Sequence, residues 1–223
     1  MNAIHPMPSR FVWAYNLVYS VMYCVIYSAA ACFSPLAFSA ELPTAEPAIV
    51  VRALSENNVS LQDITPSGTV GKVFFAATLM HAPVPQICSL LQDYSAYPRF
   101  MPNTAQVKVT PVGDLTLLDV TLHLPLGKVK KYRLQMTPEV TPQSCKLAWK
   151  LLPSDGLKPE ETIADTRGYW DIAPHPEHSG QSVVKYFVYT DPGPVPLGLG
   201  WIVDSMSKDS IPKMLDALRL KLR

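Results

Sequence analysis

The C-terminal segment, residues 191–223, is the feature that most constrains what this chain can fold into. A stretch rich in proline and glycine, residues 191–198, leads into a segment whose apolar residues recur at α-helical spacing. One stripe of this helix consists of Leu199, Ile202, Val203, Met206, Ser210, Met214, Leu218 and Leu222, all of them apolar except Ser210. Because proline removes a helical hydrogen bond, Pro212 is expected to kink this helix between residues 201–210 and 212–222. A helix with one apolar face needs a broad apolar surface to lie against, and the preceding chain is expected to supply it.

The region before this helix alternates apolar and polar residues with the two-residue period of β-strands. Leu118, Val120 and Leu122, for example, share one face, and Asp119 and Thr121 share the other. Strands are predicted at residues 70–80, 104–112, 115–124, 128–138, 145–151, 167–172 and 183–190. Since strand–helix–strand units are absent from this pattern, a meandering antiparallel sheet is expected.

Two short helices are predicted after the first strand. Pro85 suits the first turn of a helix, and Ile87 and Leu91 give that helix a buried side. Residues 93–98 end it, and a second short helix follows. The predicted fold is therefore α+β, with a curved antiparallel sheet of about six to seven strands that grips a long C-terminal helix.

An uncharged apolar run occupies residues 11–33, preceded by Arg10 and followed by Pro35. This layout is typical of an export signal, and the run is also long enough to span a bilayer as an uncleaved anchor. Both alternatives place the rest of the chain outside the cytoplasm, in the periplasm or the extracellular space. The predicted organisation is a signal peptide or membrane anchor at 1–40, a linker or leading segment at 41–68 and one domain at 69–223. The leading segment, if it is not a linker, is predicted to hold a strand and a short helix.

The balance of basic and acidic residues indicates whether the domain would attract a polyanion such as nucleic acid. The chain has 19 Lys plus Arg and 18 Asp plus Glu. Only Arg10 precedes Glu41, so that the remainder balances at 18 basic (19 minus 1) against 18 acidic residues. A balanced domain does not attract a polyanion, and we expect no nucleic-acid partner. We expect a monomer whose contact with membranes, if any, is made by the N-terminal run.

Two of the four cysteines, Cys24 and Cys32, belong to the apolar run, which leaves Cys88 and Cys145 in the domain. An exported protein is permitted a disulfide between them. The favoured interpretation is nevertheless two buried thiols that act as small apolar residues.

The predicted elements come in the order of one strand, two short helices, several antiparallel strands and a long final helix. Three sequence motifs occur within this order. They are Ala82-Pro83-x-x-x-Ile87 continuing to Asp93-Tyr94-x-x-Tyr97-Pro98-x-Phe100-x-Pro102-Asn103, then Gly168-x-Trp170-x-Ile172, and finally the run 186–192 followed by a helix with Ser210-Ile211-Pro212. Over roughly residues 71–222 this order resembles the START-like (SRPBCC, helix-grip) superfamily, and within it the polyketide cyclase and coenzyme Q-binding protein group. The resemblance implies a deep cavity between sheet and C-terminal helix, which in that family holds lipids, quinones or polyketides.

The inward faces of the predicted strands and the C-terminal helix give a candidate ligand cavity. Its predicted lining residues are Phe75, Phe100, Met101, Leu122, Tyr132, Leu134, Trp149, Trp170, Tyr186, Trp201, Ile202 and Met206. Tyr132, Tyr186 and Thr190 are the nearest polar anchors. The alternative is that these side chains simply fill a core, which would make the chain an interaction module without a ligand.

Catalytic motifs are absent from the sequence: it contains no G-x-S-x-G, no phosphate-binding glycine loop and no H-E-x-x-H. His175 and His178 form the one clustered pair of metal-ligand types, and we expect them to be solvated in a turn. Asp119 and His123 share one face of their strand, for which a polar outer face is favoured over a buried acid–base pair. We therefore expect no metal, no cofactor and no catalytic residue. The favoured function is binding of a lipid, isoprenoid quinone or polyketide-like molecule, and the alternative is an aromatase/cyclase-like enzyme that uses the same cavity.

Overall fold

The computed structural model describes residues 47, 51–194 and 200–223, with side chains described again from residue 208. The apolar run at 11–33, for which an export signal or anchor is predicted, lies outside the described residues. The described strands are β1 (Ser60–Asp63), β2 (Lys72–Met80), β3 (Thr104–Val112), β4 (Leu115–His123), β5 (Val129–Thr141), β6 (Ser144–Leu152), β7 (Asp165–Pro174) and β8 (Ser182–Asp191). The helices are α1 (Val84–Gln92) and α2 (Gly200–Leu222), with 3-10 turns at Val51–Ala53, Tyr94–Arg99 and Pro125–Gly127.

One antiparallel sheet contains all eight described strands, in the order β1-β2-β8-β7-β6-β5-β4-β3. The meander from β3 to β8 returns the chain to β2, so that the first and last long strands are neighbours. The predicted α+β fold, a curved antiparallel sheet with a long C-terminal helix, is confirmed. The strand count is slightly higher than predicted because β1 pairs with β2. β1 is four residues long and lies in the segment for which a linker or a leading strand with a short helix is predicted.

Strand β2 is buried on both faces. On one face Phe74, Ala76 and Met80 join the main core, which also receives residues from α1 and α2. On the other face lies a second cluster, composed of Val73, Phe75, Ala77, Phe187 and Tyr189 with Leu54, Ile64 and Tyr169 packed against it. The segment before β2 therefore covers the outer face of the sheet at this edge.

Helix α1 packs against strands β6 and β7 and contributes to the main core. Ile87 and Leu91 are fully buried in the main core, as predicted. The helix ends at Gln92, and the second short helix is a 3-10 turn over Tyr94–Arg99, which overlaps the stretch 93–98 where a break was predicted.

A disulfide joins Cys88 of α1 to Cys145 of β6, with a Cα–Cα distance of 5.9 Å. The favoured expectation of two free thiols is therefore wrong. The reason is tertiary: α1 packs across β6, and this brings together two cysteines that are 57 residues apart in the chain.

Helix α2 continues through Pro212 as one element, so that the expected division into residues 201–210 and 212–222 is not present. Ile211, Leu215 and Leu218 are buried in the main core and anchor this part of the helix to the sheet. The guanidinium of Arg219 contacts the Thr78 hydroxyl of β2, which adds a polar attachment. Within the described part of the chain, no helix has the length and hydropathy required to cross a bilayer.

Candidate functional site

A cavity of about 350 Å³ lies between the concave face of the sheet and helix α2. Ser210, Ile211 and Met214 line it from α2. The strands contribute Phe74, Leu118, Val120, Leu122, Tyr132, Leu134, Met136, Trp149, Trp170, Tyr186 and Val188, among others. Most of this surface is apolar, and a few hydroxyl groups interrupt it, which is the usual make-up of a small-molecule site.

The structure brings seven of the twelve predicted lining residues together around this cavity. They are Met101, Leu122, Tyr132, Leu134, Trp149, Trp170 and Tyr186. Phe100 packs against the main core without lining the cavity. The prediction for Phe75 is wrong, because its side chain lies on the opposite face of β2. The side chains of Trp201, Ile202 and Met206 lie outside the described residues.

The sequence-based set missed several lining residues that a stricter use of strand periodicity would have found. Lys130 has the same parity along β5 as Tyr132 and Leu134, and it lines the cavity with them. In β8, Val188 shares the parity of Tyr186 in the same way. Pro102 and Asn103, in the turn that follows Tyr94–Arg99, line the cavity through loop geometry, for which strand periodicity gives no signal.

Three aromatic rings form one wall of the cavity. The ring centroids of Trp170 and Tyr186 are 4.5 Å apart, and those of Trp149 and Tyr186 are 5.6 Å apart in a stacked arrangement. Gly168 of β7 makes room for this wall, because a Cβ there would lie 2.5 Å from Cζ2 of Trp149 and 2.2 Å from the carbonyl oxygen of Phe187. The glycine of the Gly168-x-Trp170 stretch thus permits the position of the neighbouring indole.

Tyr132 and Tyr186 present phenol hydroxyls that have no hydrogen-bond partner among the described residues. Burial raises the pKa of both phenols, and the neighbouring Tyr132 raises that of Tyr186 further. Both are consequently neutral O–H donors at physiological pH. Tyr97, which also lines the cavity, differs because its hydroxyl donates to the carbonyl oxygen of Leu91 at 2.6 Å.

Carboxylates and imidazoles are absent from the described lining of the cavity. Asp119 lies on the outer face of the sheet, where Arg133 donates to both carboxylate oxygens at 2.6 and 3.0 Å. His123 is exposed at the end of β4. The described cavity therefore offers hydroxyl and ammonium donors to a ligand without a conventional acid–base pair.

The two histidines after β7, His175 and His178, help to hold the turn between β7 and β8 together. The imidazole Nδ1 of His175 accepts hydrogen bonds from the backbone N–H groups of Glu177 and His178, at 3.1 and 3.0 Å. The rings of His175 and His178 stack with centroids 4.6 Å apart. His175 is buried rather than solvated as expected, because these bonds fold its ring into the turn. Among the described residues, no three His, Cys, Asp or Glu side chains come together as a metal site would require.

Comparison with known proteins gives one family match. The model of the family described as polyketide cyclase / dehydrase and lipid transport matches residues 80–219, more than half of the chain. No curated protein matches the sequence.

Solved structures share the fold. A STAR-related lipid transfer protein from Xanthomonas axonopodis superposes with a TM-score of 0.63 at 18% identity, over 74% of this chain and 93% of that one. Human StAR-related lipid transfer protein 5 gives a TM-score of 0.63 at 11% identity, over 74% of this chain and 82% of that one. The Zhui aromatase/cyclase from a Streptomyces species gives 0.53 at 10% identity, over 73% and 94%. At these identities the likeness concerns the fold alone.

Proposed function

Because the chain belongs to the polyketide cyclase / dehydrase and lipid transport family, we propose that it is an exported protein that binds an apolar or amphipathic small molecule between sheet and helix α2. The observation behind this proposal is the cavity of about 350 Å³, walled by aliphatic and aromatic side chains. Transfer of a ligand's apolar surface out of water into such a cavity is favourable by about 25 cal/mol per Å² before entropic costs.

The volume of the cavity limits the size of the ligand that it can hold. An apolar cavity of about 150 Å³ accommodates benzene. A cavity of about 350 Å³ is therefore suited to a single alkyl or isoprenoid chain, or to a body of one or two rings. A molecule with two long chains would require the cavity to widen.

Export is supported by two independent features. The uncharged run at 11–33 has the layout of a targeting segment. The disulfide between Cys88 and Cys145 fits an oxidising compartment such as the periplasm or the extracellular space. N-terminal sequencing of protein recovered outside the cytoplasm tests this part of the proposal. A start near residue 40 fits a cleaved signal, a start at Met1 fits an anchor, and recovery only from the cytoplasm contradicts export.

A second function, that of an aromatase/cyclase-like enzyme, is favoured by the two phenols. Two neutral O–H donors close to each other could hold the oxygen of an enolate, the intermediate of such ring closures. The described lining lacks a carboxylate or imidazole to remove the proton, and we therefore place binding first.

Native mass spectrometry of protein purified from its own host, followed by organic extraction, tests the proposal. We expect one apolar compound per chain, recovered unchanged. Conversion of an added polyketone into a cyclised product would instead favour the enzyme. A protein that carries nothing and takes up no added lipid, quinone or polyketone would contradict both functions.

A further inference from the structure

Lysines are the charged residues in the described lining of the cavity: Lys72 and Lys130. Lys72 is the first residue of β2, and Lys130 is the second residue of β5. In this antiparallel sheet the starts of β2 and β5 lie at the same end. The cavity therefore has an apolar interior and cationic side chains at one end.

The ammonium group of Lys130 is held in place by two backbone carbonyls. Its Nζ donates to the carbonyl oxygen of Thr162 at 2.5 Å and to that of Pro192 at 3.1 Å. An ammonium has three N–H donors, so that one donor remains for a ligand. No carboxylate among the described residues forms an ion pair with Lys130.

The surroundings leave the charge of Lys130 undercompensated. Burial lowers the pKa of its ammonium, and the nearby carboxylate of Glu160 offsets part of that effect. A partly buried cation gains most from a partner that is itself charged, because charge-assisted hydrogen bonds are about twice as strong as neutral ones. Its alkyl stem meanwhile adds to the apolar lining.

We propose that the ligand carries an anionic head, a carboxylate or a phosphate monoester, which pairs with Lys130 while its apolar body lies along Tyr132 and Leu134. This inference rests on the proposed binding function and specifies the chemical class of ligand. The two carbonyl bonds fix the ammonium before the ligand arrives, which reduces the entropy lost on pairing.

Binding of three twelve-carbon probes, measured by titration calorimetry, tests this inference. The probes are dodecanoate, dodecyl phosphate and dodecan-1-ol, which share the chain and differ in the head. We expect the wild-type protein to bind at least one of the anionic probes about tenfold more tightly than the alcohol, which corresponds to about 1.4 kcal/mol. Preference for one anionic probe over the other identifies the head as carboxylate or phosphate.

Lys130→Gln should abolish this preference, so that the anionic probes and dodecan-1-ol bind the variant with similar affinities. Glutamine keeps an N–H donor without the charge, and the alcohol reports whether the cavity is intact. Lys130→Arg should retain the preference, which covers the case in which the uncharged variant does not fold. The matched control is Lys131→Gln, which removes a neighbouring charge from the exposed side of β5.

The outcomes separate this inference from the function on which it rests. Equal affinities of the wild-type protein for all three probes would overturn the anionic head and leave apolar ligand binding intact. A preference that persists in Lys130→Gln would overturn the role of Lys130. Absence of binding by any probe would count against the binding function itself.

Discussion

The rings of Trp170 and Tyr186 lie 4.5 Å apart, centroid to centroid, in the wall of the cavity. Trp170 is buried, and its contact fixes the orientation of the phenol. The hydroxyl of Tyr186 has no partner among the described residues, and it is therefore a donor available to a molecule in the cavity.

Tyr186→Phe should lower affinity for a ligand with an acceptor oxygen and should not destabilise the protein. The Tyr186 hydroxyl faces the cavity and makes no hydrogen bond to the described residues, so its removal costs no protein hydrogen bond and is expected to be nearly neutral for stability. We expect binding of 2-dodecanone to weaken several-fold, while dodecane binds as before. Tyr97→Phe is the matched comparison, because it deletes the bond to Leu91 and should reduce the free energy of unfolding by about 1 kcal/mol. If Tyr186→Phe and Tyr97→Phe changed the free energy of unfolding equally, the proposed difference between a free and a hydrogen-bonded hydroxyl would be wrong.

Gly168→Ala should disturb the cavity through the neighbouring indole. The added methyl would lie 2.2 Å from the backbone oxygen of Phe187 and 2.5 Å from the indole of Trp149, so that both the indole and the β8 backbone would have to shift. Overpacking of this kind costs about 1–3 kcal/mol. We expect a lower melting temperature together with weaker ligand binding, measured by thermal unfolding and calorimetry. Wild-type stability in Gly168→Ala would show that the site tolerates a side chain.

The disulfide should contribute substantially to stability. Cross-linking Cys88 and Cys145, 57 residues apart, restricts the unfolded chain by about 4 kcal/mol in the loop-entropy model. The double variant Cys88→Ala/Cys145→Ala should therefore unfold at lower urea concentration than the wild type. Added dithiothreitol serves as the control: it should shift the wild-type midpoint and leave that of the double variant unchanged. A wild-type midpoint insensitive to reductant would contradict the prediction.

The ion pair of Asp119 and Arg133 should make a small contribution to stability that depends on pH. The hydrogen bond from Arg133 lowers the pKa of Asp119, and partial desolvation opposes this. A carboxyl group with a lower pKa in the folded protein adds stability above its unfolded pKa of about 3.9, and this stability is lost as the pH falls through the folded value. Asp119→Asn should be slightly less stable than the wild type at pH 7 and equal to it near pH 2. A difference in urea midpoint that stays constant from pH 7 to pH 2 would rule out this linkage.

Strand periodicity predicted the sheet well where one face is polar. In β4 and β5 the alternation assigned Leu122, Tyr132 and Leu134 to the cavity side, and the structure places them there. In β2 the alternation carries no such information, because apolar residues occupy both faces. The side assigned to Phe75 was wrong for this reason.

Other features depend on contacts between distant segments. β1 is only four residues long, and the sequence alone leaves its segment open between a linker and a leading strand; the pairing with β2 decides for the strand. The pairing of Cys88 with Cys145 follows from the packing of α1 on β6, and sequence spacing contains no trace of that packing. Helix α2 continues through Pro212 although local rules predict a break there, and residues on both sides of the proline, Ile211 and Leu215, are buried against the sheet.

The most direct test of the central claim is to fill the cavity. Leu134→Trp adds bulk to the lining, and Leu117→Trp adds the same bulk to a strand position that does not line the cavity. Native mass spectrometry with dodecan-1-ol should detect one bound molecule per chain in the wild type and in Leu117→Trp, and at least tenfold weaker binding in a folded Leu134→Trp. Equal binding by the two variants would contradict the claim that this cavity holds the ligand.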